Sequence, residues 1–251
     1  MGPREGLNDL RNERRKQMDG LEITPRTLAI GVGGAGCEVI NRIYSLMPMV
    51  DTVAVNCDKE AMHRTNADVK LYICRSVTNG EGAKGDVGLG RDCAKAHIDD
   101  IEKAMTGYDA VFIIAGMGGG TGTGATPVIA EKARSMGIMT FVIAIDPFSF
   151  EGRRVQVAKE GIAKIRQVCA STIVVENDLM VQRMPDATMK AAMETVNRSI
   201  ASFIGRKISL IKECFESEFE SISSDVIEQR LAGGSSDLTD PVGSRPKTAK
   251  E

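Results

Sequence analysis

Short apolar runs recur along the chain, each almost free of polar interruptions. They read TLAIGV from Thr27, TVAVN from Thr52, VKLYIC from Val69, AVFIIAG from Ala110, MTFVIAI from Met139 and TIVVEN from Thr172. Runs of this length, rich in β-branched residues and apolar at nearly every position, predict strands of a parallel sheet covered on both faces. Between them the apolar period changes to three and four. EVINRIYSLM, GRDCAKAHIDDIEKAM, VIAEKARSM and VAKEGIAKIRQVC are the predicted connecting helices. The alternation predicts an α/β domain built on a Rossmann-like, doubly wound parallel sheet, in which ligands bind at the carboxyl ends of the strands.

After the last strand the helical period takes over. From Thr188 to Ile211, the residues Met189, Met193, Val196, Ile200, Phe203, Ile204, Ile208 and Ile211 form one apolar stripe. A further helical segment, CFESEFESISSDVIEQRL, follows. The predicted organisation is a polar helical arm over 1–25, the main domain over 26–212, a helical extension over 213–232, and a Gly/Ser/Pro-rich tail over 233–251 expected to be disordered.

Composition narrows this picture by exclusion. The 251 residues are 42% hydrophobic and 26% charged, with a net charge of −2. That balance gives no global attraction to nucleic acid or an anionic membrane. No apolar run reaches the roughly 18 residues of a membrane span, and the N-terminus lacks the apolar core of a signal peptide. A cytoplasmic protein without an integral membrane segment is expected. The six cysteines form no close CxxC pair, and two histidines are too few for a Cys/His metal cluster. They are read as buried structural thiols rather than a disulfide framework, and no metal site is assigned to protein ligands alone.

The chemistry is concentrated in two glycine runs. GVGGAG, Gly31 to Gly36, follows the first strand and matches G-x-G-x-x-G, with Asp58 past the second strand where a ribose-binding acid would sit. GMGGGTGTGATP, Gly116 to Pro127, follows the fourth strand. Six glycines in that stretch are entropically costly, and exposed N–H groups at a helix N-terminus bind anions. Thr121 and Thr123 offer hydroxyl donors. No lysine follows the glycines, so this is not an ordinary P-loop. Two such loops suggest a polyphosphate held from both sides. One loop alone would leave an NAD(P)-binding oxidoreductase as the alternative, but no catalytic His/Lys/Tyr set accompanies it.

GGGTGTG resembles the signature of the tubulin/FtsZ superfamily, and the resemblance extends from about Arg26 to Ile211 through GVGGAGCEVINRI, VNCDKEAM, PFSFEGRR and VVENDLM. It implies a guanine-nucleotide-binding domain that takes GTP or GDP, with Mg2+ held through phosphates and water. Carried over by position, Gly33, Gly34, Ala35 and Gly36 face the α- and β-phosphates. Asn56 and Asp58 lie near the phosphates and the hydrated cation. Gly116, Gly118, Gly119, Gly120, Thr121, Gly122 and Thr123 form the main phosphate loop. Pro147 and Glu151 belong to the ribose loop, Asn177 contacts sugar or base, and Asn197 reads the guanine edge, its amide offering both donor and acceptor.

Three departures from the family pattern stand out. The loop that senses the γ-phosphate is expected as Gly-Ala-Gly-x-x-Pro. Here GAKGDV gives Ala83, Lys84 and Gly85, with Val87 in place of proline. Lys84 is either a γ-phosphate contact or a solvated surface lysine. The arginine expected beyond the ribose glutamate falls on Val155, so Arg153 or Arg154 takes that role only with a shift of register. After the long helix, ESEFESISS stands where the family carries a loop with an Asn-x-Asp-x-x-Asp core; Glu218 and Glu220 retain acidity there, but the surrounding pattern is gone. The expectation is a cytoskeletal or cell-division assembly factor, at most a slow GTPase, that self-assembles into oligomers or filaments or associates with a full-length FtsZ-like partner.

Overall fold

A computed structural model of the chain describes residues 25–184 and 186–233, with the backbone alone described at residues 180, 219, 220 and 222–233. Apart from Pro25 and Gly233, the expected N-terminal arm and C-terminal tail lie outside the described residues.

Six strands, β1 (Thr27–Val32), β2 (Asp51–Asn56), β3 (Val69–Tyr72), β4 (Ala110–Gly116), β5 (Met139–Asp146) and β6 (Thr172–Glu176), pair in the order β3-β2-β1-β4-β5-β6. Every pairing is parallel. The connecting helices are α1 (Gly33–Leu46), α2 (Lys59–Arg64), α3 (Arg75–Thr78), α4 (Val87–Ala96), α5 (Ile98–Met105), α6 (Gly120–Ser135), α7 (Arg153–Val168) and α8 (Asn177–Gln182), and α9 (Met189–Gly233) closes the described chain. This is the α/β, doubly wound sheet that the strand pattern predicts.

The uninterrupted apolarity of the strands has a direct cause. Successive side chains of β4 point to opposite faces, and both faces are buried. Val111, Ile113 and Ala115 join a core with Cys93, Ile101, Ile129 and Ile162 from α4 to α7. Ala110, Phe112 and Ile114 join a second core with Val39, Ile40, Val196, Ile200 and Ile204 from α1 and α9. A polar residue anywhere along β4 would meet one of these cores.

Several boundaries differ from the periodicity. Helices α1 and α6 begin inside the glycine runs, at Gly33 and Gly120, not at Glu38 and Val128. Glycine carries no apolar periodicity and disfavours helix by about 1 kcal/mol, so those turns are invisible in the pattern and held by tertiary contact. GRDCAKAHIDDIEKAM breaks at His97, whose Nε2 accepts the Cys74 N–H at 3.0 Å. The two helical segments at the end of the chain form one helix of 45 residues. At about 1.5 Å per residue α9 spans about 67 Å, far longer than the eight-residue β5 beside it.

Candidate nucleotide-binding crevice

Strand order reverses between β1 and β4, which are neighbours. Each leads directly into a helix, α1 or α6, whose first turn is made of glycine-run residues. This is the switch point at which doubly wound sheets form a crevice. The two loops touch. A Cβ added at Gly33, where φ is +71°, would lie 3.0 Å from the Gly122 nitrogen, and one at Gly116 would lie 2.6 Å from the Ala35 Cβ.

The two helix ends share a property. Four N–H groups at a helix N-terminus lack intrahelical partners. At α2 and α4, aspartates cap them: Asp58 accepts from Ala61 at 2.8 Å and Asp86 from Leu89 at 3.0 Å. At α1 and α6 the N-cap residues are Val32 and Gly119, no side chain caps the end, and neither first turn contains an acid. Together they present donors and helix-dipole charge to one space, a binding geometry for a polyanion.

Added Cβ atoms separate two kinds of glycine. At Gly36, Gly118, Gly120, Gly122 and Gly124 the atom would fall closer than 3.0 Å to backbone. These glycines let elements approach each other. At Gly34 it would meet nothing within 4 Å, and at Gly119 only the tip of Arg154 at 3.9 Å. Those two positions border open space. The bareness of the second loop therefore has two causes, close packing at most glycines and clearance at Gly119. The threonines are also engaged: both are buried, and Thr123 Oγ1 accepts the Gly118 N–H at 2.9 Å.

The other predicted residues gather at the same carboxyl edge. On the β2 side, buried Asn56 accepts the Asp58 N–H at 3.2 Å, while its Nδ2 has no partner. Buried Ala83 packs on Gly120. Lys84 is exposed in a left-handed conformation and paired with Glu81, and Gly85 beside it is exposed. On the β5 side Pro147 is buried, and Glu151 accepts the Phe148 N–H at 2.9 Å and pairs with Arg154. Arg154 lies against Gly118 and Gly119, which places that arginine, not Val155, beside the glycine loop. Asn177 follows β6, is 5% exposed, and its Oδ1 has no partner. Buried orphan polar atoms are costly, so Asn56 and Asn177 fit a site that receives a polar ligand.

Asn197 reaches the crevice from α9. It lines a cavity of about 420 Å3 together with Ala35 of the first glycine run, Ile145, Met193, and the ion-paired Arg42 and Glu194. The cavity lining is mostly polar, with Glu38, Asn41, Asn66 and Lys190 beside the apolar Ala35, Ile145 and Met193. The sequence pattern places Met193 in the apolar stripe and not among the site residues, and it does not single out the Arg42–Glu194 pair. Met193 lies one turn before Asn197, a spacing that places both on one helix face, whereas the ion pair arises only from the packing of α9 on α1.

A second feature missed in sequence is the Asp146–Glu176 register pair, at the ends of β5 and β6. Burial raises the Asp146 pKa above the ordinary carboxylate value, Glu176 and Asp178 raise it further, and Lys159 partly offsets them. A folded-state pKa above the unfolded value means that the native state binds the extra proton. Stability therefore falls as pH rises from the ordinary aspartate value through the raised one. Asp146→Asn is expected to stabilise the protein at pH 7 and to have less effect near pH 4. Urea unfolding of both proteins at the two pH values checks this, and an equal effect at both would refute it.

All six cysteines are free and only Cys214 is exposed. Burial pushes the Cys37 thiol up to about 12 and raises Cys57 and Cys93, so these remain protonated packing residues. Among the described residues, no group of three His, Cys, Asp or Glu is placed to hold a metal ion, and no helix is long and apolar enough to cross a membrane.

Fold and crevice together define a doubly wound α/β domain with two uncapped, acid-free helix N-termini at the switch point of its parallel sheet, a class of site suited to a polyanion. Comparison with known proteins gives the particular family: residues 26–185 match the Tubulin/FtsZ family, GTPase domain, and the chain belongs to that family. It is 36% identical over 181 residues to cell division protein FtsZ 2 of Halobacterium salinarum, an alignment covering 72% of this chain and 46% of the relative. The chain thus spans about half the length of the curated relatives it matches. Among solved structures, an empty FtsZ dimer of M. jannaschii superposes with a TM-score of 0.72 at 32% identity, covering 80% of this chain and 59% of the other. CetZ2 of Haloferax volcanii, a GTPγS-bound protofilament, superposes with a TM-score of 0.67 at 26% identity over 73% of this chain and 58% of the other.

Proposed function

We propose that this chain binds GTP or GDP at the β1/β4 crevice and serves as a cytoplasmic assembly factor of the FtsZ type. It forms filaments itself or joins those of another FtsZ-like protein, and hydrolyses GTP slowly or not at all. The observation that carries the reading is the pair of uncapped, acid-free helix N-termini on adjacent central strands. Gly33 to Gly36 and Gly116 to Thr123 would surround the phosphates. Glu151 and Arg154 would meet the ribose side, and Asn177 and Asn197 the sugar and base. Mg2+ would be held by phosphate oxygens and water, with Asn56 and Asp58 facing its water shell and Ala83 to Gly85 near the terminal phosphate. The ion would neutralise phosphate charge; the chain's own residues orient the nucleotide and exclude water from it. The CetZ2 relative, seen with GTPγS in a protofilament, supports the assembly reading.

Slow hydrolysis rests on α9. Positioning a nucleophilic water is a large part of phosphoryl-transfer catalysis, and the family resemblance assigns that task to an acidic loop after this helix. Here ESEFESISS lies within α9, which stays helical through Gly233. Glu218 and Glu220 therefore sit on a regular helix and not on a loop.

The experiment identifies the nucleotide released when the purified protein is denatured, then compares phosphate release with that of a full-length FtsZ. A guanine nucleotide and turnover on the order of a hundredfold lower are expected, the loss typical of removing one positioned catalytic group. A released dinucleotide would refute the binding reading and favour an NAD(P) oxidoreductase. Turnover equal to FtsZ would refute only the hydrolysis reading.

A further inference from the structure

Between β3 and α4 the backbone takes a course that its residues resist. Among the described residues, three that are not glycine have positive φ: Cys74 at 53°, Asn79 at 49° and Lys84 at 45°. All three lie in this one segment. Only glycine, and less often asparagine or aspartate, enters the left-handed region readily. Strain of this kind persists where surrounding contacts enforce it, and the contacts are identifiable. In the middle of the segment, Thr78 Oγ1 lies 3.0 Å from the Cys57 carbonyl and 3.1 Å from the Cys74 carbonyl, and the Lys59 N–H donates to the Gly80 carbonyl at 2.9 Å. At the far end, a Cβ at Gly120 would lie 2.8 Å from both the Ala83 Cβ and the Asp86 carbonyl oxygen. At the near end, the Ile73 N–H still bonds β2, through the Asn56 carbonyl at 3.0 Å. One residue later the N–H of buried Cys74 leaves the sheet and donates to His97 Nε2 at 3.0 Å.

His97 is itself firmly held. It stands between α4 and α5, its N–H on the Cys93 carbonyl at 3.3 Å and its carbonyl on the Ile101 N–H at 3.1 Å. Helix α4 is pressed against α6, since a Cβ at Gly90 would fall 2.2 Å from the Gly120 carbonyl oxygen. A backbone N–H can only donate, so the Nε2 that meets it carries no proton. The ring proton is then on Nδ1, 3.4 Å from Asp100 Oδ2. Because α4 begins directly after Asp86, the bond between His97 and Cys74 closes the strained segment and α4 into one ring whose ends are 23 positions apart in sequence.

The ring borders the crevice on one side only. Asn197 and Ala35 share a cavity on the sheet face covered by α1 and α9, whereas α4 and α6 cover the other face. A nucleotide with its base beside Asn197 crosses the strand ends from the first face to the second, and its last phosphate comes to the α6 end, beside Ala83 to Gly85. We propose that His97 is a positioning residue for that last phosphate, an inference that rests on the nucleotide site proposed above. By accepting the Cys74 N–H it holds the strained segment in the shape that presents Ala83 to Gly85 to a triphosphate, and so sets the affinity for GTP relative to GDP. The histidine itself touches no nucleotide atom.

The test compares the natural chain with His97→Ala, which removes the acceptor, and with His97→Gln, whose amide oxygen can replace Nε2 as one. In calorimetric titrations His97→Ala is expected to bind GTPγS about tenfold more weakly, the loss of roughly one hydrogen bond to a charged group, with GDP affinity unchanged. His97→Gln is expected to restore the natural ratio. A histidine with a merely structural role would weaken both nucleotides alike. That result, or an unchanged ratio in His97→Ala, would overturn the proposal. Amide hydrogen exchange without nucleotide is the independent readout. In His97→Ala, and not in His97→Gln, exchange over residues 74–86 is expected to quicken while α6 keeps its protection; unchanged exchange would overturn the anchor itself. A natural chain that binds neither nucleotide would overturn the nucleotide reading and the discrimination with it, and the exchange result tells that failure apart from a failure of the anchor.

Discussion

Gly36→Ala is expected to destabilise the domain by about 3 kcal/mol, while Gly34→Ala, two residues earlier, leaves its stability intact and weakens nucleotide binding instead. A Cβ at Gly36 would fall closer than 3.0 Å to the carbonyl oxygen of Ile114 in β4. The Cβ is fixed to the backbone of a packed helix and the oxygen belongs to the backbone of a central strand, so neither can rotate away. Overpacking of this kind costs about 1–3 kcal/mol, with backbone clashes at the upper end. Against a total stability of about 5–15 kcal/mol, that is a large fraction. At Gly34 the added methyl meets no protein atom within 4 Å, and alanine favours the helix by up to about 1 kcal/mol. Its only available conflict is with a ligand at the crevice. Urea unfolding should show a lower midpoint for Gly36→Ala and an unchanged or higher one for Gly34→Ala. Calorimetric titration with GDP should show at least about tenfold weaker binding for Gly34→Ala, about 1.4 kcal/mol. If Gly34→Ala binds as the natural chain does, the nucleotide does not lie against this turn.

The contrast also marks what sequence alone reveals. The strands are legible because burial on both faces removes polar residues from runs such as AVFIIAG. The crevice is legible because two glycine runs follow strands that a doubly wound sheet brings together. The reason for the glycines is only half legible: composition shows that Cβ atoms are absent, not what excludes them. In GMGGGTGTGATP, Cβ atoms at Gly116, Gly118, Gly120, Gly122 and Gly124 would all collide with the protein itself, and only Gly119 faces open space. The Asp146–Glu176 pair is hidden for another reason: its contact depends on the register of β5 against β6, set by packing and not by either strand's own residues. The uninterrupted course of α9 is hidden because serine and glutamate after Phe215 dilute its apolar period without breaking the helix.

Ile204→Ala is expected to cost about 2–5 kcal/mol and to weaken nucleotide binding, although the residue is remote from the crevice in sequence and in role. Ile204 is fully buried in the core that joins α9 to α1 and to the β4–β5 face of the sheet. Removing its outer carbons forfeits their transfer energy and leaves a cavity between a rigid sheet and a rigid helix, where collapse is incomplete. The same helix carries Asn197, seven residues earlier and about 10 Å along the axis. That amide shares its cavity with Ala35 on α1, so the geometry of the base end depends on how firmly α9 sits. Asn197→Ala separates the two effects. Its side chain lies in the partly exposed cavity, so the unfolding midpoint should move little while affinity falls by about 1–3 kcal/mol through the loss of a buried hydrogen-bonding partner. Ile204→Ala should lower both, and saturating guanine nucleotide should recover part of its midpoint, because a ligand that binds only the docked state stabilises it by mass action. A variant with the full loss of stability and unchanged affinity would show that the nucleotide site is built without α9. That result would remove Asn197 from the site and leave the two glycine loops as its whole extent.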